Sequence, residues 1–386
     1  MNYRKNSFVM TNPPVIVSKA EQIIRDLFAQ ADIQIHGQRP WDLQIHNPNF
    51  YTRVLRGGSL ALGESYMDGW WDCESLDQFF YKVIRANLKE KIKPFSQWLA
   101  KLKSKLVNMQ TRTRIKTLVK KHYDLSSDLY MSFLDPFNQY TCGYFKNTED
   151  LNTAQEKKLD LICKKLMIKS KDKVLDIGCG WGGFAKFAAE RYGCHVTGIT
   201  ISDEQIKYAK KFCDRLPVTI IKSDYRDFKG IFDKVLVCGM IEHVGYKNYK
   251  TLMGTIHDNL KNDGLFLLQT IGRNDSTTYG DPWMSKYIFP NSMLPSSEQI
   301  TTATEGLFVL EDWHSFGYYY DETTMAWCKN FKKNWDRIKE HFNERFYRMW
   351  TYYLLSGAGS FRSGIQRLWQ IVFSKNGIKE GYQSIR

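Results

Sequence analysis

Lys173-Val-Leu-Asp-Ile-Gly-Cys-Gly-Trp-Gly-Gly183 is the stretch of this chain that says most about its fold. A short apolar run leads into Asp176 and then into four glycines. Glycines permit a tight turn and let a ligand approach the backbone closely. The stretch therefore predicts a strand-to-helix turn that holds a nucleoside-containing cofactor, which points to an enzyme.

The same glycines leave two classes of cofactor to distinguish. Gly178, Gly180 and Gly183 fit the G-x-G-x-x-G pattern of dinucleotide-binding folds, which need an acidic side chain for the ribose about 20 residues later. The strand predicted at 195–200 contains no acid. Asp176 stands before the glycines instead, where it can reach an amino group. S-Adenosylmethionine carries an amino group on its methionine portion and NAD does not, so the sequence favours a methyltransferase. A turn without a ligand is the simpler alternative.

Composition narrows the class of protein further. With 386 residues, 43% of them hydrophobic and 15% aromatic, the chain is long enough for two domains with substantial cores. No apolar signal segment follows Arg4 and Lys5, and no run approaches the roughly 18 apolar residues of a membrane span. We therefore expect a cytoplasmic protein. The eight cysteines show no zinc-binding spacing, so we expect neither a metal site nor a disulfide framework.

The net charge of +14 is concentrated in one segment. Residues 86–121 contain eleven Lys or Arg and a single acidic residue, Glu90. An apolar stripe at helical spacing predicts a basic amphipathic helix there, formed by Trp98, Leu99, Leu102, Leu106 and Met109. An anionic membrane surface attracts such a helix. A helix packed on its own protein is an equal alternative, and nucleic acid is the weakest of the three.

Helix and strand signals predict a small N-terminal domain followed by a larger one. In the small domain, the glycine pair at 57 and 58 predicts a turn between short strands, and a helix is predicted over about 76–88. From Lys173 strands and helices alternate, which predicts a doubly wound parallel sheet that binds ligands at the carboxyl ends of its strands. The predicted strands are 173–177, 195–200, 218–222, 232–238 and 264–271, and the helices between them are 183–192, 203–213 and 248–261.

Two further segments complete the larger domain. Residues 272–304 lack clear periodicity but carry many aromatic and proline residues, and we interpret them as a cover over the site. A helix near 323–344 carries an apolar stripe that favours a place in the core: Met325, Cys328, Phe331, Trp335, Ile338 and Phe342.

Eight motifs resemble those of the bacterial cyclopropane-fatty-acyl-phospholipid synthases and of their relatives, the mycolic acid cyclopropane synthases. The resemblance covers nearly the whole chain, and eight motifs in order are highly specific. They are Gly63-Glu-Ser-Tyr-Met-Asp-Gly-Trp-Trp71, His122-Tyr-Asp-Leu-Ser126, Tyr140-Thr-Cys-Gly-Tyr-Phe145, Leu175-Asp-Ile-Gly-Cys-Gly-Trp-Gly-Gly183, Ile241-Glu-His-Val-Gly245, Lys286-Tyr-Ile-Phe-Pro290, Glu311-Asp-Trp-His314 and Gln366-Arg-Leu-Trp-Gln-Ile-Val-Phe-Ser-Lys375.

The resemblance implies a fold, a reaction and a location. The fold is a class I, Rossmann-like S-adenosylmethionine-dependent methyltransferase domain at 122–386, with an N-terminal lipid or accessory domain at 1–88 and the basic linker helix at 89–121. The reaction converts the double bond of an unsaturated acyl chain, still within its phospholipid, into a cyclopropane ring, with bicarbonate as the base. A homodimer at the inner face of the cytoplasmic membrane is expected, and no nucleic acid.

The resemblance also implies two sets of site residues. The bicarbonate set is Cys142, Glu242, Gln269, Ile271 and Tyr320. Gln269 departs from the family's histidine, and its amide can donate to an anion but cannot carry a proton at neutral pH. The cofactor set is Tyr123, Tyr140, Thr141, Asp176, Gly178, Gly180, Thr200, Ile201, Gln205, Asp224, Tyr225 and Arg226.

Several of these residues have a structural alternative. Cys142 can be a buried hydrophobic residue and Tyr320 a packing residue in a run of tyrosines. Gln205 can serve only a capping box that begins at Ser202. Glu242 can be a helix-capping acid, and for His243 we favour a structural role in the core.

Two further hypotheses about function stay open at this point. One is a methyltransferase that does not close the ring or that acts on a soluble or RNA substrate. The other is a membrane-binding protein that has lost its activity.

Overall fold

The computed structural model of the protein describes residues 18–88 and 127–386. The first of these ranges folds into a small unit of helices and a two-stranded antiparallel sheet. Its elements are α1 (Lys19–Ala29), β1 (Gln44–Ile45), α2 (Phe50–Met67), β2 (Trp71–Asp72) and α3 (Leu76–Arg85).

The glycine pair at 57 and 58 does not form a turn between strands, and that prediction is wrong. Both glycines lie inside α2, where Gly58 adopts φ 56° and ψ −135° and kinks the helix. Glycine reaches this conformation without the penalty of a Cβ. Apolar side chains on both sides of the kink, including Val54 and Leu62, are buried. Tertiary packing therefore keeps the segment helical across a pair that would end an isolated helix.

The second range forms a seven-stranded sheet with helices packed on both faces. Its strands are β3 (Lys173–Ile177), β4 (His195–Thr200), β5 (Val218–Lys222), β6 (Phe232–Cys238), β7 (Leu260–Arg273), β8 (Val309–Ser315) and β9 (Gln366–Ser374). Its helices are α4 (Ser127–Phe133), α5 (Leu151–Lys165), α6 (Gly183–Tyr192), α7 (Asp203–Phe212), α8 (Tyr249–Asn259), α9 (Pro282–Tyr287), α10 (Ser297–Thr304), α11 (Tyr319–Ile338) and α12 (Glu344–Ser363). Short 3₁₀ turns lie at Ile241–His243, Tyr246–Asn248 and Lys339–His341.

The strand order is β5-β4-β3-β6-β7-β9-β8. The first five strands in this order run parallel, and β9 is antiparallel to both β7 and β8. The predicted doubly wound α/β fold is therefore confirmed. Strands β3 to β6 have the predicted bounds, whereas β7 is longer than predicted. The antiparallel pair β8 and β9 was not predicted, because its members pair across α11 and α12.

The N-terminal unit shares a hydrophobic core with α11 and α12. The ring of Tyr352 lies 5.6 Å from that of Tyr66 and 5.0 Å from that of Phe80. Arg348 on α12 donates to the backbone oxygen of Tyr66 at 2.6 Å. Of the predicted apolar stripe, Cys328, Phe331 and Ile338 are buried, whereas Met325 is 37% exposed. Trp335 and Phe342 are partly buried, and Phe342 lies beyond the end of α11 at Ile338.

The basic segment 89–121 lies outside the described residues. Its helicity and the domain boundaries at 88 and 121 therefore stay predictions. Within residues 18–88 and 127–386, no helix has the length and apolar character that a membrane span requires.

Candidate active site

The loop between β3 and α6 forms the floor of a cavity. Gly178, Gly180 and Gly182 have φ values of 83°, 53° and 85°, a region that favours glycine. The N–H groups of Gly178 and Cys179 donate to the carbonyl oxygen of Ile199 at 2.9 and 3.1 Å, which ties the loop to β4. A Cβ on Gly180 would meet no protein atom within 4 Å. The loop therefore leaves bare backbone open to a ligand.

The cavity has a volume of about 250 Å³ and lies at the carboxyl ends of β3, β4 and β6. The strand order reverses at this point, which is where doubly wound sheets bind their ligands. Tyr123 lies outside the described residues. The other residues of the predicted cofactor set all line the cavity: Tyr140, Thr141, Asp176, Gly178, Gly180, Thr200, Ile201, Gln205, Asp224, Tyr225 and Arg226.

Asp176 places a carboxylate on the cavity wall at the end of β3. The residue is 3% exposed, and burial raises the pKa of its carboxyl to about 7, although the charge of Lys158 acts in the opposite direction. No hydrogen bond from the described residues supports the ionised form. A ligand ammonium would supply that support. The amino group of S-adenosylmethionine fits this requirement.

The turn between β4 and α7 stands where a dinucleotide-binding fold has its ribose-binding acid. Thr200 Oγ1 donates to Gln205 Oε1 at 2.8 Å, and Ser202 Oγ accepts from the Gln205 N–H at 3.3 Å. Ser202 thus caps α7, while the Gln205 side chain turns to Thr200. Only half of the capping box forms, and the Gln205 amide lies buried at the cavity wall. Beyond it, Arg226 pairs with Asp224, with Nη2 and Oδ2 2.5 Å apart.

Three residues of the predicted bicarbonate set meet where β7 passes the 3₁₀ turn at Ile241–His243. Glu242 Oε1 accepts from the Ile271 N–H at 2.8 Å. Gln269 precedes Ile271 by two positions on β7, and its Oε1 accepts from Gln370 Nε2 at 2.9 Å. Glu242 Oε2 and Gln269 Nε2 are buried and have no hydrogen-bond partner among the described residues. Buried polar atoms of this kind call for a further partner.

Cys142 and Tyr320 approach this group from the side of α11. Cys142 is fully buried, and its Sγ lies 3.8 Å from Thr323 Oγ1 on α11. Burial raises the pKa of the Cys142 thiol. Burial also raises the pKa of the Tyr320 hydroxyl, and the nearby Tyr353, Cys142 and Glu242 raise it further. The thiol and the phenol therefore stay neutral and can donate hydrogen bonds.

The structure adds residues to the cavity wall that the sequence does not place in the cofactor set. Asn138 and Gln139 line it, directly before the predicted Tyr140. His243, for which the sequence favours a structural role, also lines it, with its ring 5.7 Å from that of Phe289. Its position beside Glu242 in one motif was the signal available in the sequence.

The fold and the site together define the class of protein. A doubly wound sheet whose central strand ends in a carboxylate and a bare glycine loop is that of the S-adenosylmethionine-dependent methyltransferases, and the chain is an enzyme of this class. The family described as mycolic acid cyclopropane synthetase matches residues 110–371, and the chain belongs to this family.

Individual relatives agree with this assignment. The cyclopropane-fatty-acyl-phospholipid synthase of Escherichia coli (strain K12) is 48% identical over 366 residues, which cover 95% of this chain and 96% of that protein. The sphingolipid C9-methyltransferase A of Emericella nidulans is 32% identical over 362 residues, covering 88% of this chain and 70% of that protein.

Solved structures show the same fold. The cyclopropane synthase MmaA2 from Mycobacterium tuberculosis superposes with a TM-score of 0.64 at 26% identity, over 70% of this chain and 100% of that one. The mycolic acid cyclopropane synthase CmaA1, complexed with SAH and CTAB, superposes with a TM-score of 0.63 at 28% identity, over 67% and 98% of the two chains. SAH is S-adenosylhomocysteine, so the methyl donor of this class is S-adenosylmethionine.

Proposed function

We propose that this enzyme adds the methyl carbon of S-adenosylmethionine across the double bond of an unsaturated acyl chain in a membrane phospholipid. The lipid gains one CH₂ and a cyclopropane ring, one proton passes to a base, and S-adenosylhomocysteine leaves. Support comes from the family and from the 48% identity to a cyclopropane-fatty-acyl-phospholipid synthase. The observation that carries the proposal is a set of buried hydrogen-bond donors beside the cofactor cavity, namely the Cys142 thiol, the Gln269 amide and the Tyr320 hydroxyl.

S-Adenosylmethionine supplies a sulfonium methyl group as the electrophile, and bicarbonate supplies the base. Asp176 holds the amino group of the cofactor, and the bare backbone at Gly178 and Gly180 lies against its methionine portion. An alkene is a weak nucleophile, so these contacts must orient the methyl group closely in a dry site.

The bicarbonate set suits a small anion. Burial raises the pKa values of the Cys142 thiol, the Glu242 carboxyl and the Tyr320 hydroxyl, which favours their protonated, hydrogen-bond-donating forms. Within the part of the chain that the structure describes, Gln269 Nε2 is a buried donor without a partner, and Glu242 Oε2 is a second buried atom without a partner. Gln269 takes the place of the family's histidine, with its carbonyl oxygen held by Gln370 so that Nε2 is left free for the anion.

Aromatic rings surround Tyr140 at the edge of the cavity. Its ring centroid lies 5.2 Å from that of Trp327 and 6.3 Å from that of Phe289, and its hydroxyl donates to Tyr353 Oη at 2.8 Å. Aromatic faces attract cations. This group of rings can stabilise the positive charge that develops on the acyl chain when the methyl group is transferred.

Mass spectrometry of liposomes tests the reaction. The pure protein is incubated with monounsaturated phospholipid and S-adenosylmethionine that carries three deuterons on its methyl group. We expect the lipid to gain one methylene with two deuterons and to lose its double bond, while saturated phospholipid stays unchanged. Retention of all three deuterons would show methylation without ring closure, and an unchanged unsaturated lipid would refute the proposal.

The base has its own test. Turnover is measured in buffer depleted of carbon dioxide and again after bicarbonate is added back. We expect activity to fall on depletion and to return with added bicarbonate. Equal turnover in both buffers would exclude bicarbonate as the base and leave the lipid reaction intact.

We further propose that the enzyme works as a homodimer, peripherally bound to an anionic membrane surface at the cytoplasmic face. The basic composition of residues 86–121 supports the membrane contact. Co-sedimentation with anionic liposomes should weaken as salt rises, because salt screens such attraction. Light scattering should give twice the 45.3 kDa chain mass. Salt-independent sedimentation would contradict the electrostatic membrane contact, and the mass of a single chain would contradict the homodimer.

A further inference from the structure

Lys158 on α5 is a lysine buried beside the cavity. It is 0% exposed, and its Nζ donates to Gln139 Oε1 and, at 2.9 Å, to Thr141 Oγ1. Neither acceptor is charged, and Lys158 has no ion-pair partner among the described residues. The other fully buried lysine on this helix, Lys165, lies 3.5 Å from the carboxylate of Asp312. An unpaired buried charge costs free energy, so its presence calls for a function.

The acceptors of Lys158 belong to a segment that connects the two halves of the active site. Gln139, Tyr140 and Thr141 line the cofactor cavity, and Cys142 follows directly in the bicarbonate set. A second buried side chain of α5 also binds this segment. Gln155, three residues before Lys158, is also 0% exposed, and its Nε2 donates to the Thr141 carbonyl oxygen at 2.7 Å.

The charge of Lys158 also acts on both halves of the site. Burial lowers the pKa of its ammonium, while the carboxylates of Asp135 and Asp176 act in the opposite direction. The charge of Lys158 in turn lowers the pKa of Asp176 in the cofactor set and of the Cys142 thiol in the bicarbonate set, in both cases against the larger effect of burial. The five residues of the predicted bicarbonate set include no cation. A bound anion there gains a favourable interaction with a buried positive charge behind Thr141 and Cys142.

We infer that Lys158 is a positioning residue, which holds the 139–142 segment in place for the cofactor and provides the positive charge that retains the anion. The part concerning the anion rests on the proposed function. Lys158 does not touch the reacting atoms. It acts through Thr141 and Gln139, whose side chains it anchors.

The variant Lys158→Met keeps the length and the apolar stem of the side chain but removes the donors and the charge. Calorimetry with S-adenosylhomocysteine and hydrogen exchange of the 139–143 amides are measured on the full chain. We expect the dissociation constant to rise about tenfold, because two buried acceptors lose their donor, and the amides to exchange faster. The bicarbonate concentration at half-maximal turnover should also rise about tenfold.

Lys157→Met is the matched control, because it makes the same change one residue earlier on the helix. Lys157 Nζ donates to the carbonyl oxygens of Lys146 and Asn147, outside the cavity. We expect it to leave the dissociation constant within about twofold. If Lys158→Met does not fold, Lys158→Gln, which keeps a polar donor, is measured in the same way.

A double-mutant cycle with Thr141→Val separates positioning from general loss of structure. If Lys158 acts through Thr141, the two substitutions weaken cofactor binding non-additively. Additive effects, or an unchanged dissociation constant in Lys158→Met, would overturn the inference. If wild-type turnover does not depend on bicarbonate, the proposed base is refuted instead. Calorimetry with S-adenosylhomocysteine and hydrogen exchange would still decide the role of Lys158.

Discussion

Replacing Gly180 with alanine should have two separate effects. Backbone strain should lower the free energy of unfolding, and the added methyl group should weaken cofactor binding. Gly180 has φ 53°, and an added Cβ would meet no protein atom within 4 Å. The left-handed conformation costs an alanine about 1 to 2 kcal/mol, so the free energy of unfolding should fall by that amount. The methyl group would project into the cofactor cavity, because the residue lines it. Crowding of a packed contact costs about 1 to 3 kcal/mol.

That cost corresponds to a roughly 5- to 150-fold higher dissociation constant for S-adenosylhomocysteine. Gly193→Ala is the control, because Gly193 has φ 68° at the end of α6 and its nearest neighbour to an added Cβ, Ser170 Oγ, is 3.4 Å away. Both variants should lose the same stability in urea unfolding, and only Gly180→Ala should lose affinity in calorimetry. Equal affinity of the two variants would refute this assignment of the loop.

Three further predictions address the carboxyl groups of Asp176 and Glu242 and the contact between the N-terminal unit and the domain of the seven-stranded sheet. Burial raises the pKa of Asp176 to about 7, so its ionised fraction rises with pH. The affinity for S-adenosylhomocysteine should therefore increase about tenfold per pH unit up to that pKa and then level off. Calorimetry across pH 5.5 to 8.5, roughly centred on that pKa, checks this, and Asp176→Asn should remove the dependence. Glu242→Gln keeps an acceptor for the Ile271 N–H but replaces the carboxyl by an amide that cannot exchange a proton, so liposome assays should show turnover lowered about a hundredfold with cofactor affinity unchanged. Normal turnover would contradict the assignment of Glu242 to the bicarbonate set. A Cβ on Gly63 would lie 2.3 Å from Trp283 Cδ1, so Gly63→Ala should lower the free energy of unfolding by about 1 to 3 kcal/mol; Gly254→Ala on α8, with open space around it, should raise it by up to about 1 kcal/mol.

Short sequence motifs predicted the structure correctly where interactions within a few residues determine the backbone conformation. The glycine loop, its preceding strand and the helix that ends at Gly193 follow the prediction, because glycine conformations and side-chain caps act within a few residues. The members of the cofactor set that the structure describes line one cavity, because parallel strands bring their carboxyl ends to one edge of the sheet.

Local signals failed where distant packing decided the conformation. The glycine pair at 57 and 58 indicated a turn, but α2 continues through it because its apolar side chains pack on both sides of the kink. The sequence around Lys158 also gives no indication that this side chain is buried. A lysine on an amphipathic helix normally lies in solvent, whereas Lys158 is buried by packing with other parts of the chain, including Gln139 and Thr141.

The sequence by itself determined the class of fold, the cofactor loop and the family, because these depend on short motifs and on the alternation of strands and helices. The tertiary structure decided the arrangement of the second half of the site. Cys142, Glu242 and Tyr320 come from distant parts of the chain, and the Gln269 side chain is held by Gln370 on β9, the last strand in the sequence. Burial raises the pKa values of the Cys142 thiol, the Glu242 carboxyl and the Tyr320 hydroxyl, which favours their protonated forms. Burial is a property of the packed chain, and no spacing of residues encodes it.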